Sequence, residues 1–113
     1  MCGHLTDAER VFGYRAFCIS RGEQTPLPAF DENAYVEHSG YDNRPVADLL
    51  GEFANVRKSN LILLGRLPEE TFLRKGTASG KTISVRALAY IMAGHVRHHF
   101  KGLRDNYGIK MPG

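Results

Sequence analysis

Residues 84–103 read SVRALAYIMAGHVRHHFKGL, and this stretch has the period of an amphipathic helix. Positions three and four residues apart lie on the same helical face, so the spacing predicts one long helix with a single inward face. Ser84 is suited to cap its start, and Gly108 is suited to stop it. The residues on the predicted inward face are Val85, Leu88, Met92, His95, His99 and Leu103.

Two further long helices precede this one. The first is predicted from His4 to about Ser20, and the second opens at Pro45 and ends between Gly65 and Pro68. Each carries an apolar stripe at helical spacing. On the first helix the stripe is Leu5, Ala8, Phe12, Ala16 and Ile19. On the second it is Val46, Leu49, Leu50, Phe53, Val56, Leu63, Leu64 and Leu67.

The connecting segments carry prolines and glycines. Residues 22–45 predict a loop with a short helix that Asp31 caps. Residues 68–73 predict a short helical segment, and residues 76–83 predict a turn or a small β-ribbon. We therefore predict a single all-α domain over residues 1–113, an up-and-down bundle of three long helices with short helical connections.

Composition narrows the class of protein. With 42% hydrophobic and 24% charged residues, the 113-residue chain has the balance of a folded globular domain. The net charge of +3 is spread along the sequence, which argues against a nucleic-acid partner. No apolar run reaches the roughly 18 residues that span a bilayer, and no leader segment is apparent, so we expect no membrane association and a cytoplasmic location.

The histidines on the last helix indicate chemistry. His95 and His99 are four residues apart, with Cβ atoms about 6 Å from each other, so both imidazoles can reach one metal ion. His98 is rotated by about 100° from His99 and is not expected to join them. The alternative is a purely structural role, in which both histidines are hydrogen-bonded residues of the core. A third imidazole from His4 would give a site for Zn²⁺, Ni²⁺, Mn²⁺ or Fe²⁺ with positions left for water or substrate.

Three segments together resemble a known family. GHLTDAERVFGYR at residues 3–15, FDENAY at residues 30–35 and VRALAYIMAGHVRHH at residues 85–99 resemble the DinB/YfiT-like superfamily of metal-binding four-helix bundles. The resemblance spans almost the whole chain and implies that His4, His95 and His99 bind a divalent metal. Characterised members of that superfamily include S-transferases that use bacillithiol, mycothiol or glutathione, and a mycothiol-dependent maleylpyruvate isomerase. A low-molecular-weight thiol and a small-molecule substrate are thus implied here.

One departure from that family concerns the N-terminal helix. Members carry a further helix before the first metal histidine, whereas His4 here follows Met1 by three residues. We therefore expect either a shortened product or a second copy that covers the open groove, and we predict a homodimer.

The predicted activity is that of a metal-dependent thiol transferase or a metal-dependent hydrolase. The alternative is a non-catalytic helical module for interaction or dimerisation. Asp7 and Glu9 lie near His4 in sequence and could support it, although exposed carboxylates are usually only solvated. Arg15 and Arg86 are expected to pair with acidic residues across the bundle, or to bind an anionic part of a substrate.

A phosphate-binding loop is excluded. Residues 76–82, GTASGKT, have three residues between the glycines, and the nucleotide-binding pattern needs four. No buried strand precedes them in the predicted structure.

Overall fold

The computed structural model describes residues 2–94, with side chains from His4 onward. The helices are α1 (Cys2–Ser20), α2 (Glu32–Glu37), α3 (Val46–Gly65) and α4, which begins at residue 85 and is described to residue 94. Short 3₁₀ helices occupy Tyr41–Asn43 and Glu69–Leu73, and one hairpin pairs β1 (Lys75–Ala78) with β2 (Lys81–Ser84). The predicted all-α class is confirmed. Within residues 2–94, no helix is both long and apolar enough to cross a membrane.

Two helix starts follow the capping rules. The Asp31 carboxylate accepts hydrogen bonds from the backbone N–H groups of Asn33 and Ala34 at 3.0 and 3.1 Å, which begins α2. The Ser84 hydroxyl accepts one from the Ala87 N–H at 3.0 Å, which begins α4. Both caps satisfy donors that a helix leaves open at its first turn, as the sequence predicts.

The hairpin turns at Ser79 and Gly80. Both have positive φ, 53° and 76°, which is the type I′ pattern that matches the twist of paired strands. The Leu27 N–H donates to the Thr77 carbonyl at 2.8 Å, so the loop after α1 is fastened to β1. The predicted small β-ribbon at residues 76–83 is confirmed, and it is a structural connector.

Helices α1 and α3 form the main packed pair and run in the same direction. Leu5, near the start of α1, packs on Leu49 and Phe53, near the start of α3. Farther along, Ala16 packs near Leu64. The long connection over residues 21–45 carries the chain back to the starting end, and this makes the parallel pairing possible.

A second apolar cluster joins α1 to α4. Ala16 and Ile19 at the end of α1 contact Val85 and Leu88 at the start of α4. Val85, Leu88 and Met92 are 0, 0 and 2% exposed, so the predicted inward face of the last helix is confirmed as far as residue 92. The first turns of α4 therefore lie against the last turns of α1.

Candidate metal centre and the adjacent cleft

His4 lies in the first turn of α1, with its side chain 19% exposed. Its Nε2 atom lies 3.8 Å from Oε2 of Glu32, the first residue of α2. The Asp31 cap fixes the start of α2 and so places the Glu32 carboxylate beside the imidazole. The 3.8 Å distance is longer than a hydrogen bond, so the carboxylate is a charged neighbour of the ring. Glu32 was not singled out from the sequence, because only the tertiary fold brings α2 to α1.

The other two predicted ligands, His95 and His99, lie outside the described residues, as does His98. Within residues 2–94 there is no group of three or more His, Cys, Asp or Glu side chains that could hold a metal ion. The three-histidine centre stays a prediction, with His4 as its described member. Cys18 is a free, buried thiol.

An open cleft of ≈ 620 Å³ lies between α1 and the segment that follows α2. We call it the Asp7 cleft, and its walls include Asp7, Tyr35, His38, Ser39, Tyr41 and Arg44. Asp7 follows His4 by three residues on α1, which is about 4.5 Å of helical rise. The cleft therefore lies within one helical turn of the predicted metal ligand.

Tyr41 and Asp7 form the polar contact at the cleft wall. The Tyr41 hydroxyl donates to Oδ1 of Asp7 at 2.7 Å. Burial, followed by this hydrogen bond to a carboxylate, raises the pKa of Tyr41 to about 12. Tyr41 therefore remains a protonated donor at neutral pH, and Asp7 is held in place by it.

His38 is the second oriented group in the cleft. Its Nδ1 lies 2.7 Å from the Ala34 carbonyl oxygen, which can only accept, so Nδ1 carries the proton and donates. In the neutral ring Nε2 is then an acceptor. The sequence contains five histidines, and nothing in the local pattern around residue 38 marked this one.

Glu9 was a candidate to support His4, and the structure places it elsewhere. Its side chain is 2% exposed and contacts α3. The amide of Asn60 donates to Oε2 of Glu9 at 2.7 Å, and Nη1 of Arg57 donates to Oε1 at 3.1 Å. This carboxylate joins α1 to α3, and the expectation that Glu9 is a solvated surface residue is wrong.

The hydrogen-bond partners of Arg15 within residues 4–94 are neutral. The expected pairing with an acidic residue is therefore wrong for this part of the chain. Its Nη2 atom donates to the Pro28 carbonyl at 2.8 Å and to the Ser79 hydroxyl at 3.1 Å. The guanidinium lies 5.7 and 5.8 Å from the ring centroids of Phe12 and Phe30, and burial lowers its pKa. Arg15 thereby holds the loop and the hairpin turn against α1.

Arg86 also has a described partner that is aromatic rather than acidic. Its guanidinium lies 5.6 Å from the centroid of the Tyr90 ring, one turn farther along α4. Both residues are exposed, so this contact contributes little to stability.

Comparison with known protein families gives a match over most of the chain. A family model described as the DinB superfamily matches residues 1–101. The curated proteins and the solved structures give no significant match. The match covers all the described elements, α1 to α4, together with the positions of His4, His95 and His99. The chain belongs to the DinB superfamily.

Proposed function

We propose that this chain binds a divalent metal ion through His4, His95 and His99 and acts as a metal-dependent transferase that uses a low-molecular-weight thiol. The single observation that carries the proposal is the setting of His4, a partly buried imidazole beside the Glu32 carboxylate at the head of the bundle. An imidazole nitrogen is a ligand that suits Zn²⁺, Ni²⁺, Mn²⁺ or Fe²⁺.

The spacing along α4 supports the other two ligands. Val85, Leu88 and Met92 form the buried stripe, and positions 95 and 99 continue its alternation of three and four residues. The start of α4 contacts Ala16 and Ile19 on α1. His4 precedes Ala16 by 12 residues, about 18 Å of helical rise. His95 and His99 follow Leu88 by 7 and 11 residues, about 10 and 16 Å in a continuous helix. If α4 runs antiparallel to α1, His95 and His99 lie near the N-terminal end of α1, at the level of His4.

When bound, a divalent metal lowers the pKa of a coordinated thiol and so supplies a thiolate at neutral pH. The protein's own contribution is positional. The Glu32 carboxylate lies 3.8 Å from Nε2 of His4, and the Asp7 cleft opens one turn along α1, where a substrate attached to or reacting with the thiol can lie. Three protein donors leave positions that water or a thiol can take.

The metal site is tested by titrating the metal-free protein with Zn²⁺ and with Ni²⁺ in a calorimeter. His4→Ala, His95→Ala and His99→Ala should each weaken binding by more than about 100-fold, because even the outer partners of metal ligands contribute 10–100-fold. His98→Ala is the matched control and should bind as the parent chain does. Equal metal affinity in the parent chain and the three ligand variants would exclude this site.

The activity is tested with the metal-loaded protein, a thiol and an electrophilic acceptor, with loss of free thiol as the readout. Turnover that requires both metal and thiol supports the transferase. Turnover of ester or amide substrates without thiol supports a metal-dependent hydrolase instead. A protein that folds and assembles equally well without metal, and shows neither reaction, supports the non-catalytic module.

We further propose that the functional unit is a homodimer. Large apolar side chains remain exposed on the described surface, among them Leu61 on α3 and Tyr90 on α4, which are 53 and 66% exposed. Sedimentation equilibrium at micromolar concentration should give twice the chain mass of 12.6 kDa.

A further inference from the structure

Asp7 carries a negative charge that no described cation neutralises. Its described hydrogen bond comes from the neutral hydroxyl of Tyr41 at Oδ1, and the ion pairs within residues 4–94 do not include it. The side chain is partly buried at the wall of the Asp7 cleft. A partly buried carboxylate with one neutral donor can accept further hydrogen bonds, and cationic donors are the strongest available.

Arg44, the cation in the same cleft, is already paired. Its Nη2 atom lies 2.7 Å from a carboxylate oxygen of Asp48 and 2.7 Å from one of Glu52. These two carboxylates raise the pKa of Arg44, and Glu52 also pairs with Arg10 at 3.1 Å. The three carboxylates Asp7, Asp48 and Glu52 exceed the two guanidinium groups Arg44 and Arg10 by one negative charge, which favours a cationic ligand over an anionic one.

His38 supplies a second acceptor. Because Nδ1 donates to the Ala34 carbonyl, the ring orientation is fixed and Nε2 is left as the accepting atom. No partner is described for Nε2 in residues 4–94. Tyr35, 47% exposed, adds an aromatic ring to the wall, and aromatic rings stabilise neighbouring ammonium groups.

From these groups we infer that the Asp7 cleft binds the ammonium group of a small primary amine, with Asp7 and His38 accepting its hydrogen bonds. An ammonium group carries three donors and one positive charge, which matches a carboxylate acceptor and an imidazole acceptor in a cleft that the Tyr35 ring also lines. This inference rests on the proposed function and specifies its thiol, which should carry an amine two to four bonds from the sulfur. Such a molecule spans the single helical turn between His4 and Asp7.

The test compares two thiols of equal length. Cysteamine carries an ammonium group where 2-mercaptoethanol carries a hydroxyl. Each is titrated into the ¹⁵N-labelled protein, with and without Zn²⁺, and backbone amide shifts are followed at Asp7, Ser39 and Tyr41. We expect cysteamine to bind about tenfold more tightly than 2-mercaptoethanol, since a charge-assisted hydrogen bond contributes about a factor of ten. The shifts at the cleft should appear with and without the metal.

Asp7→Asn should reduce the cysteamine preference to less than about threefold, because it keeps an acceptor for Tyr41 but removes the charge. His38→Ala, at an exposed position that does not threaten folding, should weaken cysteamine binding as well. Asp42→Asn is the matched control, since it removes an equal charge from an exposed residue outside the cleft and should leave the preference intact.

Two results would overturn the inference. The first is equal affinity of the parent chain for cysteamine and 2-mercaptoethanol. The other is a cysteamine preference that survives Asp7→Asn and occurs only with Zn²⁺, because the metal ion would then be chelating the amine directly. Failure of the proposed function looks different: Zn²⁺ would not bind, while cysteamine would still shift the cleft amides in an Asp7-dependent way.

Discussion

Gly13 tests how closely α1 and α3 approach. A Cβ atom built at Gly13 would lie 2.4, 2.5 and 2.6 Å from Oδ1, Nδ2 and Cγ of Asn60. Those distances are far inside van der Waals contact, so Asn60 must move if residue 13 gains a methyl group. Asn60 is held by its amide, which donates to Oε2 of Glu9 at 2.7 Å and to the Glu9 carbonyl at 3.1 Å. Moving it breaks both hydrogen bonds.

The magnitude for Gly13→Ala follows from two opposing terms. A lost hydrogen bond to a charged group costs about 1.5–3 kcal/mol, and the second, neutral one costs about 0.5–1.5 kcal/mol. Replacing glycine by alanine within a helix recovers about 1 kcal/mol. The free energy of unfolding should therefore fall by about 1–3.5 kcal/mol. Gly51 is an exposed position of α3, and no atom lies within 4 Å of a Cβ added there. Gly51→Ala should therefore raise the free energy of unfolding by about 0.5–1 kcal/mol.

The assay is urea unfolding followed by far-ultraviolet circular dichroism, with equal m values required for the comparison. Asn60→Ala removes the obstacle, so Gly13→Ala should be neutral or stabilising when it is added to that variant. If Gly13→Ala alone stabilises the protein as much as Gly51→Ala does, the close approach of the two helices is wrong.

Three further predictions concern side chains buried by the tertiary fold. Arg57→Ala should lower the free energy of unfolding by about 2–4 kcal/mol, because it leaves the buried Glu9 carboxylate with Asn60 alone; the same change at exposed Lys58 should alter it by less than about 0.5 kcal/mol. Arg15→Lys should cost about 1–3 kcal/mol, because an ammonium cannot reproduce the planar contacts with two rings and two acceptors, and limited proteolysis should then cut the loop over residues 22–31 faster. Tyr41 has a pKa of about 12 in the folded state against an ordinary value near 10, so the folded state holds the proton more tightly and stability is lost as pH rises from about 10 to about 12. Tyr41→Phe should flatten the dependence of the free energy of unfolding on pH over that range. An unchanged slope would refute the raised pKa of Tyr41.

Local rules accounted for the ends of the elements. Asp31 and Ser84 cap helices because their side chains bond to backbone donors two or three residues away, an interaction contained in the sequence neighbourhood. The Ser79–Gly80 turn is likewise local, since positive φ at both positions suits a two-residue hairpin loop. These features could be predicted because their partners are only a few residues distant.

Periodicity predicted which faces are buried, and it failed for polar residues. Leu5, Val85 and Leu88 are buried as their spacing indicates. Glu9 is also buried, at 2% exposure, and its partners lie about 50 residues away on α3. A hydrophobic pattern assigns a carboxylate to solvent and cannot show that a distant arginine and asparagine will satisfy it.

Some residues of the candidate site could be identified from the sequence, and others only from the tertiary structure. His4, His95 and His99 were identified from helical spacing and family resemblance, and His4 is the one that the structure describes. Glu32 beside His4, and the cleft beyond it, depend on how the loop over residues 21–45 returns along α1. No local spacing specifies that return.

By itself, the sequence determined the helical class, the helix starts, the hairpin turn and the spacing of His95 and His99, because each depends on residues within one or two turns of each other. The tertiary structure alone decided that α1 and α3 lie parallel, that Glu9 and Arg15 are buried structural residues, and that Asp7, His38 and Tyr41 share a cleft. These arrangements come from contacts between segments distant in sequence, where burial and pairing of charge outweigh local preference.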